Sequence, residues 1–186
     1  MNDIPVLISI RPKWCSLIAE GIKNVEVRKT CPKRHSTPFK CYIYCTQGKD
    51  RLLDIMREGD EWFGNVYHGE DQYIKLPEDP YWCGHHAKVV GEFVCDDIVD
   101  CTFDQNGEPL VDTQKTKGWR ACVSVEELRR YAGDHERRKL YLWHISDLVM
   151  YNEPLPLSDF SVDGVTRLER PPQSWCYIQR MGGTEQ

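Results

Sequence analysis

Three charged residues at short spacing carry the chemistry in this chain. Lys23, Glu26 and Arg28 follow Gly21 in the run Gly-Ile-Lys-Asn-Val-Glu-Val-Arg over positions 21–28. The alternation of Val25 and Val27 with Glu26 and Arg28 predicts a strand with both charges on one face, roughly 6–7 Å apart. Gly21 lets a preceding helix end with φ > 0 and turn into that strand, which sets Lys23 at the helix–strand corner. A lysine, a carboxylate and a guanidinium converging beside a helix can read an anion or handle a proton. The ordinary alternative is an exposed Glu–Arg pair on an edge strand, which contributes little.

The elements that position these residues are legible on either side. Residues 6–10 are an apolar, partly β-branched run and predict a buried strand. Pro12 stands where a first helical residue would, and Trp14, Leu17, Ile18 and Ile22 recur at helical spacing, so a short amphipathic helix is expected over 12–21. Residues 30–38 hold two prolines and read as a loop, and 39–45 as a strand. Leu52, Leu53, Ile55 and Met56 before Gly59 predict a helix over 49–59. From 59 to 86 no clear period is found in an acidic stretch rich in aromatics (Trp62, Phe63, Tyr67, Tyr73, Tyr81, Trp82). Strand character returns over 88–101, with Gly91 as a bulge or bend. Asn106-Gly107 marks a turn. Ser124 and Glu127 form a capping box, so a helix starts there and ends near Gly133. Residues 140–145 predict a strand, 147–156 an extended continuation, and 170–178 a closing segment. Short, non-sequential strands with a few helices read as α+β, a small mixed β-barrel with flanking short helices and one aromatic-rich insertion. The expected layout is a single domain over 1–180, an insertion at 46–85, and a tail at 181–186.

Composition limits the function classes. A chain of 186 residues with 40% hydrophobic and 28% charged residues is an ordinary globular domain. No apolar run approaches the roughly 18 residues of a membrane span, and residues 1–10 lack the basic flank of a signal peptide. No membrane partner is expected. The formal charge of −5 argues against a general nucleic-acid coat. That charge is uneven: residues 1–40 hold eight basic and three acidic side chains, a balance of +5, and the remaining sixteen basic and twenty-six acidic residues sum to −10. Nine cysteines, an odd number with several inside apolar segments, read as reduced thiols in a cytosolic protein. Cys41 and Cys45 would lie about 13 Å apart on a strand, too far for one ion. Cys83, His85 and His86, with Cys31 and His35, are a weaker cluster, and no Cys-x-x-Cys pair occurs. No metal centre and no cofactor are expected.

Several of these segments together resemble the ASCH domain family of the PUA-like superfamily of small β-barrels. The opening strand leads into Arg11-Pro12-Lys13-Trp14, with Ile18 four residues after Trp14, and then into Gly21-x-Lys23-x-x-Glu26-x-Arg28. Lys88-Val-Val-Gly-Glu92 is similar to the family's central strand. Positions 151–157 (Tyr-Asn-Glu-Pro-Leu-Pro-Leu) are similar to its extended segment ending in proline, and 171–175 (Pro-Pro-Gln-Ser-Trp) to its closing motif. The resemblance covers about residues 5–45 and 86–178 and leaves out the insertion.

The resemblance implies RNA or a nucleotide-like ligand, held in a cleft between the first helix and the barrel and lined by Lys23, Glu26 and Arg28. Lys13, Lys23, Arg28, Lys29, Lys33 and Arg34 would neutralise phosphates. Glu26 could accept from a base edge, and Ser174 and Trp175 of the closing motif would join the nucleic-acid contacts, with Trp14, Trp82 or Trp175 stacking a base. Trp14 reads more simply as core packing on the helix's apolar stripe. A hydrolase at the same cleft, a ribonuclease or an amidohydrolase of a modified nucleoside, is the alternative implied by other family members. In that case Lys23 and Glu26 would be catalytic, with His144 or Ser174 completing the set. The amidohydrolase branch carries a threonine nucleophile where Glu26 stands, and a carboxylate cannot simply replace it. The family also occurs within a transcriptional coactivator, so a third option is an adaptor that docks a protein partner through the aromatic insert at 59–86.

Overall fold

Burial of every residue in the first strand sets the architecture. The computed structural model describes residues 4–33, 37–47, 55–58, 61–67, 71–76, 87–133 and 139–181. In chain order the elements are β1 (Val6–Ile10), α1 (Pro12–Ala19), β2 (Val25–Arg28), β3 (Phe39–Cys45), β4 (Ile55–Glu58), β5 (Glu61–Tyr67), β6 (Asp71–Leu76) and β7 (Lys88–Cys95). There follow β8 (Ile98–Phe103), β9 (Pro109–Leu110), α2 (Val125–Ala132), β10 (Lys139–His144), β11 (Ser146–Pro156), β12 (Phe160–Ser161), β13 (Trp175–Tyr177) and β14 (Gln179–Arg180). Strand β1 runs parallel to β3 and antiparallel to β13, inside a five-stranded sheet of order β11-β7-β3-β1-β13. A four-stranded antiparallel sheet has the order β2-β10-β8-β9, with β2 at its edge.

Both faces of the five-stranded sheet are covered, which is why β1 is apolar at nearly every position. One face carries Val6, Ile8 and Ile10 against Ile18 of α1, Phe93 of β7 and Trp143 of β10, and joins the two sheets in the main core. The other face buries Leu7, Tyr42 and Tyr44 with Phe160 and Ile178. The outer side of the four-stranded sheet packs Val25, Val27, Leu140 and Leu142 with Leu128 and Ala132 of α2. The result is a mixed α+β domain. Among the described residues no pairing closes either sheet on itself, so the expected barrel stands here as two packed sheets.

Most expected elements are present. The 12–21 helix is α1, and the capping box starts α2: Ser124 Oγ accepts from the Glu127 amide, and the Glu127 carboxylate accepts from the Ser124 amide. Gly91 lies at register breaks with both neighbours: β3 pairs Ile43 with Gly91 but Tyr44 with Val89, and β11 pairs Met150 with Gly91 but Leu155 with Val89. The expected helix over 49–59 is a correction. Residues 55–58 form β4, paired antiparallel with β5 through Ile55–Gly64 and Glu58–Glu61, and residues 51–54 lie outside the described part. The stretch read as aperiodic also contains β5 and β6, so the insert includes a three-stranded antiparallel meander. Strand pairing across the chain overrides the local apolar spacing. The eight described cysteines are free thiols. Cys83, His35, His85 and His86 lie outside the described residues, and among those described no group of three or more His, Cys, Asp or Glu could hold a metal. No described helix is long and apolar enough to cross a membrane.

Candidate functional site

Local sequence builds the corner that carries Lys23. Pro12 opens α1 at its first turn, where a missing N–H costs nothing. Gly21 closes it with φ +67°, and the amides of Gly21 and Ile22 donate to the carbonyls of Ile18 and Leu17, both at 2.9 Å. The segment at 118–122 clasps this corner from outside. Arg120 donates to the carbonyls of Ile22 and Gly21, each at 2.8 Å, and its amide donates to Asn24 Oδ1 at 2.6 Å. Cys122, at φ +56°, bends the clasp away toward α2.

The three motif residues converge as their spacing requires, but they are buried. Lys23, Glu26 and Arg28 are 2%, 6% and 7% exposed, so the exposed edge-strand pair of the ordinary alternative is ruled out. Lys23 Nζ donates to the Ala121 carbonyl at 2.6 Å and stands 3.4 Å from Glu26 Oε2. Arg28 donates to Glu26 Oε1 at 3.0 Å and to the Ser9 carbonyl of β1 at 2.7 Å. β2 is an edge strand, yet its outer side is covered by α2 and its charged side by β1 and the 171–173 segment. Desolvation pulls the Lys23 ammonium below the ordinary lysine range, and the neighbouring Glu26 carboxylate opposes that pull.

A cavity of about 610 Å³ opens over this group. That volume falls within the roughly 300–1,000 Å³ usual for small-ligand sites. Its floor holds Lys23, Glu26 and Arg28 beside Ser9 of β1. One wall is Trp14 of α1 with Arg11, and the opposite wall is Leu128 and Tyr131 of α2. Pro171, Pro172 and Gln173 close a third side. That segment is fixed to β1, because Ser9 Oγ donates to the Pro172 carbonyl at 2.7 Å and the Ser9 amide to the Ser174 carbonyl at 2.9 Å.

The remaining predicted residues divide clearly. Lys13 Nζ lies 4.7 Å from the Trp14 ring centroid, and Lys29 Nζ lies 5.1 Å from that of Tyr131, so both sit at the rim beside lining residues. Lys33 is exposed, and Arg34 and Trp82 lie outside the described residues. Trp14 lines the cavity and also packs on the core, with Lys23 Nζ 5.1 Å from its ring centroid. Ser174 is half-buried and contributes its carbonyl to β1 rather than a place in the lining. Trp175 does not line the cavity: it packs on Trp143 and Tyr177 and donates its indole N–H to Thr30 Oγ1 at 2.9 Å. His144 is likewise absent from the lining. Its ring stacks on Trp119, and its Nδ1 is 2.7 Å from Asp96.

Contributors missed by sequence reasoning include Arg11, Glu127, Leu128, Tyr131, Gln173 and the Arg120 clasp. The capping box located α2 but carries no information on which strand it covers. Gln173 sits inside the closing motif already singled out, and Arg11 adjoins the helix start; both were within reach.

Fold and site together define a mixed α+β domain with a ligand-sized cleft at a helix–strand corner, floored by a buried Lys–Glu–Arg chain. That fold is shared with an ASCH protein from Zymomonas mobilis, whose crystal structure superposes with a TM-score of 0.56 at 18% identity, over 95% of this chain and 88% of that one. Crystal structures of two mutants of the same protein, one Tyr-to-Phe and one Ser-to-Ala, give TM-scores of 0.55 and 0.54, again at 18% identity and 95% coverage of this chain, with 91% and 89% of theirs. No protein-family model and no curated protein matches the sequence. The chain therefore shares the fold of that ASCH protein.

Proposed function

We propose that this chain is an RNA- or nucleotide-binding domain that works at the cleft between α1, β2 and α2. The observation that carries the reading is the cavity of about 610 Å³ floored by Lys23, Glu26 and Arg28, with Lys13 and Lys29 at its rim. A recessed polar pocket with cations outside it suits a ligand whose phosphates meet the rim. Lys33, exposed after β2, adds a further cation. The two packed sheets are, in this reading, the two halves of the small PUA-like barrel.

Charge reversal at Lys29 and Lys33 tests the reading in a gel-shift titration with single-stranded RNA. Both are exposed, so the variants should fold. Retention should be lost and the salt slope reduced by about 1 per removed phosphate contact. Unchanged retention would contradict the reading. One observation favours a second reading, hydrolysis of a nucleic acid or modified nucleoside at the same cleft. Lys23 is buried beside Glu26 on the cavity floor, and desolvation lowers the pKa of its ammonium, the direction a general base needs. A folded Lys23→Ala variant that loses a hydrolytic signal while keeping RNA retention would favour that reading over a pure binding module.

A further inference from the structure

Two cysteines far apart in sequence meet behind the cavity wall. Cys15 lies early in α1 and Cys45 ends β3, and both belong to the main core cluster. One carbonyl ties their neighbourhoods together. The Ile10 oxygen accepts from the Cys15 thiol at 3.6 Å and from the Thr46 amide at 2.9 Å, and Ile10 is the β1 residue that faces Cys45. The two thiols also interact directly, Cys15 donating and Cys45 accepting. Each is the chain neighbour of a residue that lines the cavity, Trp14 before Cys15 and Thr46 after Cys45. The hydrogen bond from Cys15 holds the Cys45 thiol below its ordinary value, whereas burial pushes the Cys15 thiol up. A nucleophilic thiol beside a second, protonated one is the arrangement from which a disulfide forms. The pair Cys41 and Cys95 lacks it. Cys41 of β3 faces Phe93, Cys95 of β7 faces Phe39, and burial raises both thiols.

We propose that Cys15 and Cys45 are a reversible redox site, at which hydrogen peroxide converts the dithiol to a disulfide that joins α1 to the end of β3. The cavity brings a small oxidant to within one residue of each thiol. The Cys45 thiolate attacks one peroxide oxygen. An S–O bond forms, the O–O bond breaks, and hydroxide leaves with the proton that Cys45 gave up, as water. Cys45 is then a sulfenic acid. The Cys15 sulfur attacks the Cys45 sulfur, so that an S–S bond forms and the S–O bond breaks. The departing hydroxide takes the Cys15 proton as a second water. Two thiols and one peroxide thus give one disulfide and two waters, and a dithiol reductant reverses the change. The bridge closes the chain from 15 to 45, a loop that holds Lys23, Glu26 and Arg28, and it fixes the α1 wall at Trp14 to the β3 end at Thr46.

The test treats the folded, reduced chain with hydrogen peroxide, quenches with catalase, alkylates the remaining thiols in denaturant and maps the peptides by mass without reductant. The main linked product should join the Cys15 peptide to the Cys45 peptide, about 2 Da lighter than the two free thiols, and dithiothreitol should release it. Folded Cys15→Ser should stop at a sulfenic acid on Cys45 that dimedone traps, and folded Cys45→Ser should leave the Cys15 thiol unmodified. A map in which Cys15 and Cys45 stay alkylatable, whether or not other cysteines are oxidised, would overturn the inference. So would a Cys15–Cys45 bridge that forms as readily in urea as in buffer, because the folded geometry would then contribute nothing. Dimedone found on Cys15 in Cys45→Ser would overturn the order of attack. If neither variant folds, the wild-type maps in buffer and in urea decide.

Discussion

Replacing Lys23 by Met keeps the length of the side chain and removes its charge, and the cost follows from the contacts. The Ala121 carbonyl loses its donor, and Glu26 loses one of its two cations in a site where Lys23 and Glu26 side chains are 2% and 8% exposed. Breaking a buried pair costs about 3–5 kcal/mol, chiefly because the partner's charge is left uncompensated. Glu26 keeps Arg28 at 3.0 Å, so the lower end, about 3 kcal/mol, is expected. For a chain of this size that lowers Tm by roughly 6–12 °C. Adding Glu26→Gln should cost less than the sum of the two single changes, by roughly 1–3 kcal/mol, since no buried charge is then left facing an absent partner. The pH profile gives a second signature. Burial lowers the Lys23 pKa from 10.5, so the unfolded chain binds more protons between the folded value and 10.5. In that window this group makes wild-type stability rise with pH, and Lys23→Met lacks the rise. Urea denaturation measures both effects. A loss below about 0.5 kcal/mol, typical of an exposed ion pair, would refute the buried-chain reasoning.

Three further outcomes are expected. Gly91→Ala places a Cβ 2.5 Å from the Val149 carbonyl oxygen and 2.9 Å from the Met150 sulfur, so the β7–β11 pairing must shift at a cost of about 1–3 kcal/mol, read as a lower urea midpoint. Ser124→Ala removes the cap of α2 and should cost about 1 kcal/mol, with faster amide exchange along 125–132 and weaker RNA retention because one cavity wall loosens. Burial pushes the Cys41 and Cys95 thiols above 9.0, so their contribution to stability is complete below that value and is lost as pH rises above it. Urea midpoints should therefore fall above about pH 9, in step with thiolate absorbance on unfolding.

The parts of the molecule governed by short-range physics were legible in the sequence. The Pro12 start and Gly21 stop of α1, the alternation at 25–28, the Ser124–Glu127 box and the Gly91 bulge each depend on neighbours a few residues away. What could not be read depends on contacts across the chain. Glu26 and Arg28 alternate as any surface pair would, and only α2, β1 and the 171–173 segment bury them. Arg120 grips a corner almost one hundred positions earlier in sequence. Trp175 sits beside a motif proline pair yet turns into the core, because its indole finds Thr30 and its ring finds Trp143. The insert failed for another reason: apolar spacing at 52–56 fits a helix, and only pairing with β5 makes 55–58 a strand.

The net charge of −5 averages a basic opening segment and an acidic remainder. It is the basic segment that supplies the buried Lys–Glu–Arg floor together with Lys13 and Lys29, so the whole-chain charge does not describe the cleft.

The most direct test of the central claim is a map of where RNA lands. Amide chemical shifts recorded during titration with single-stranded RNA should change at Trp14, at Val27 to Lys29, along α2 from Glu127 to Tyr131, and at Gln173. Changes confined to residues away from this cleft, such as the exposed Val162 and Val165 on the far loop, or no saturable change at about 50 mM salt, would contradict the account.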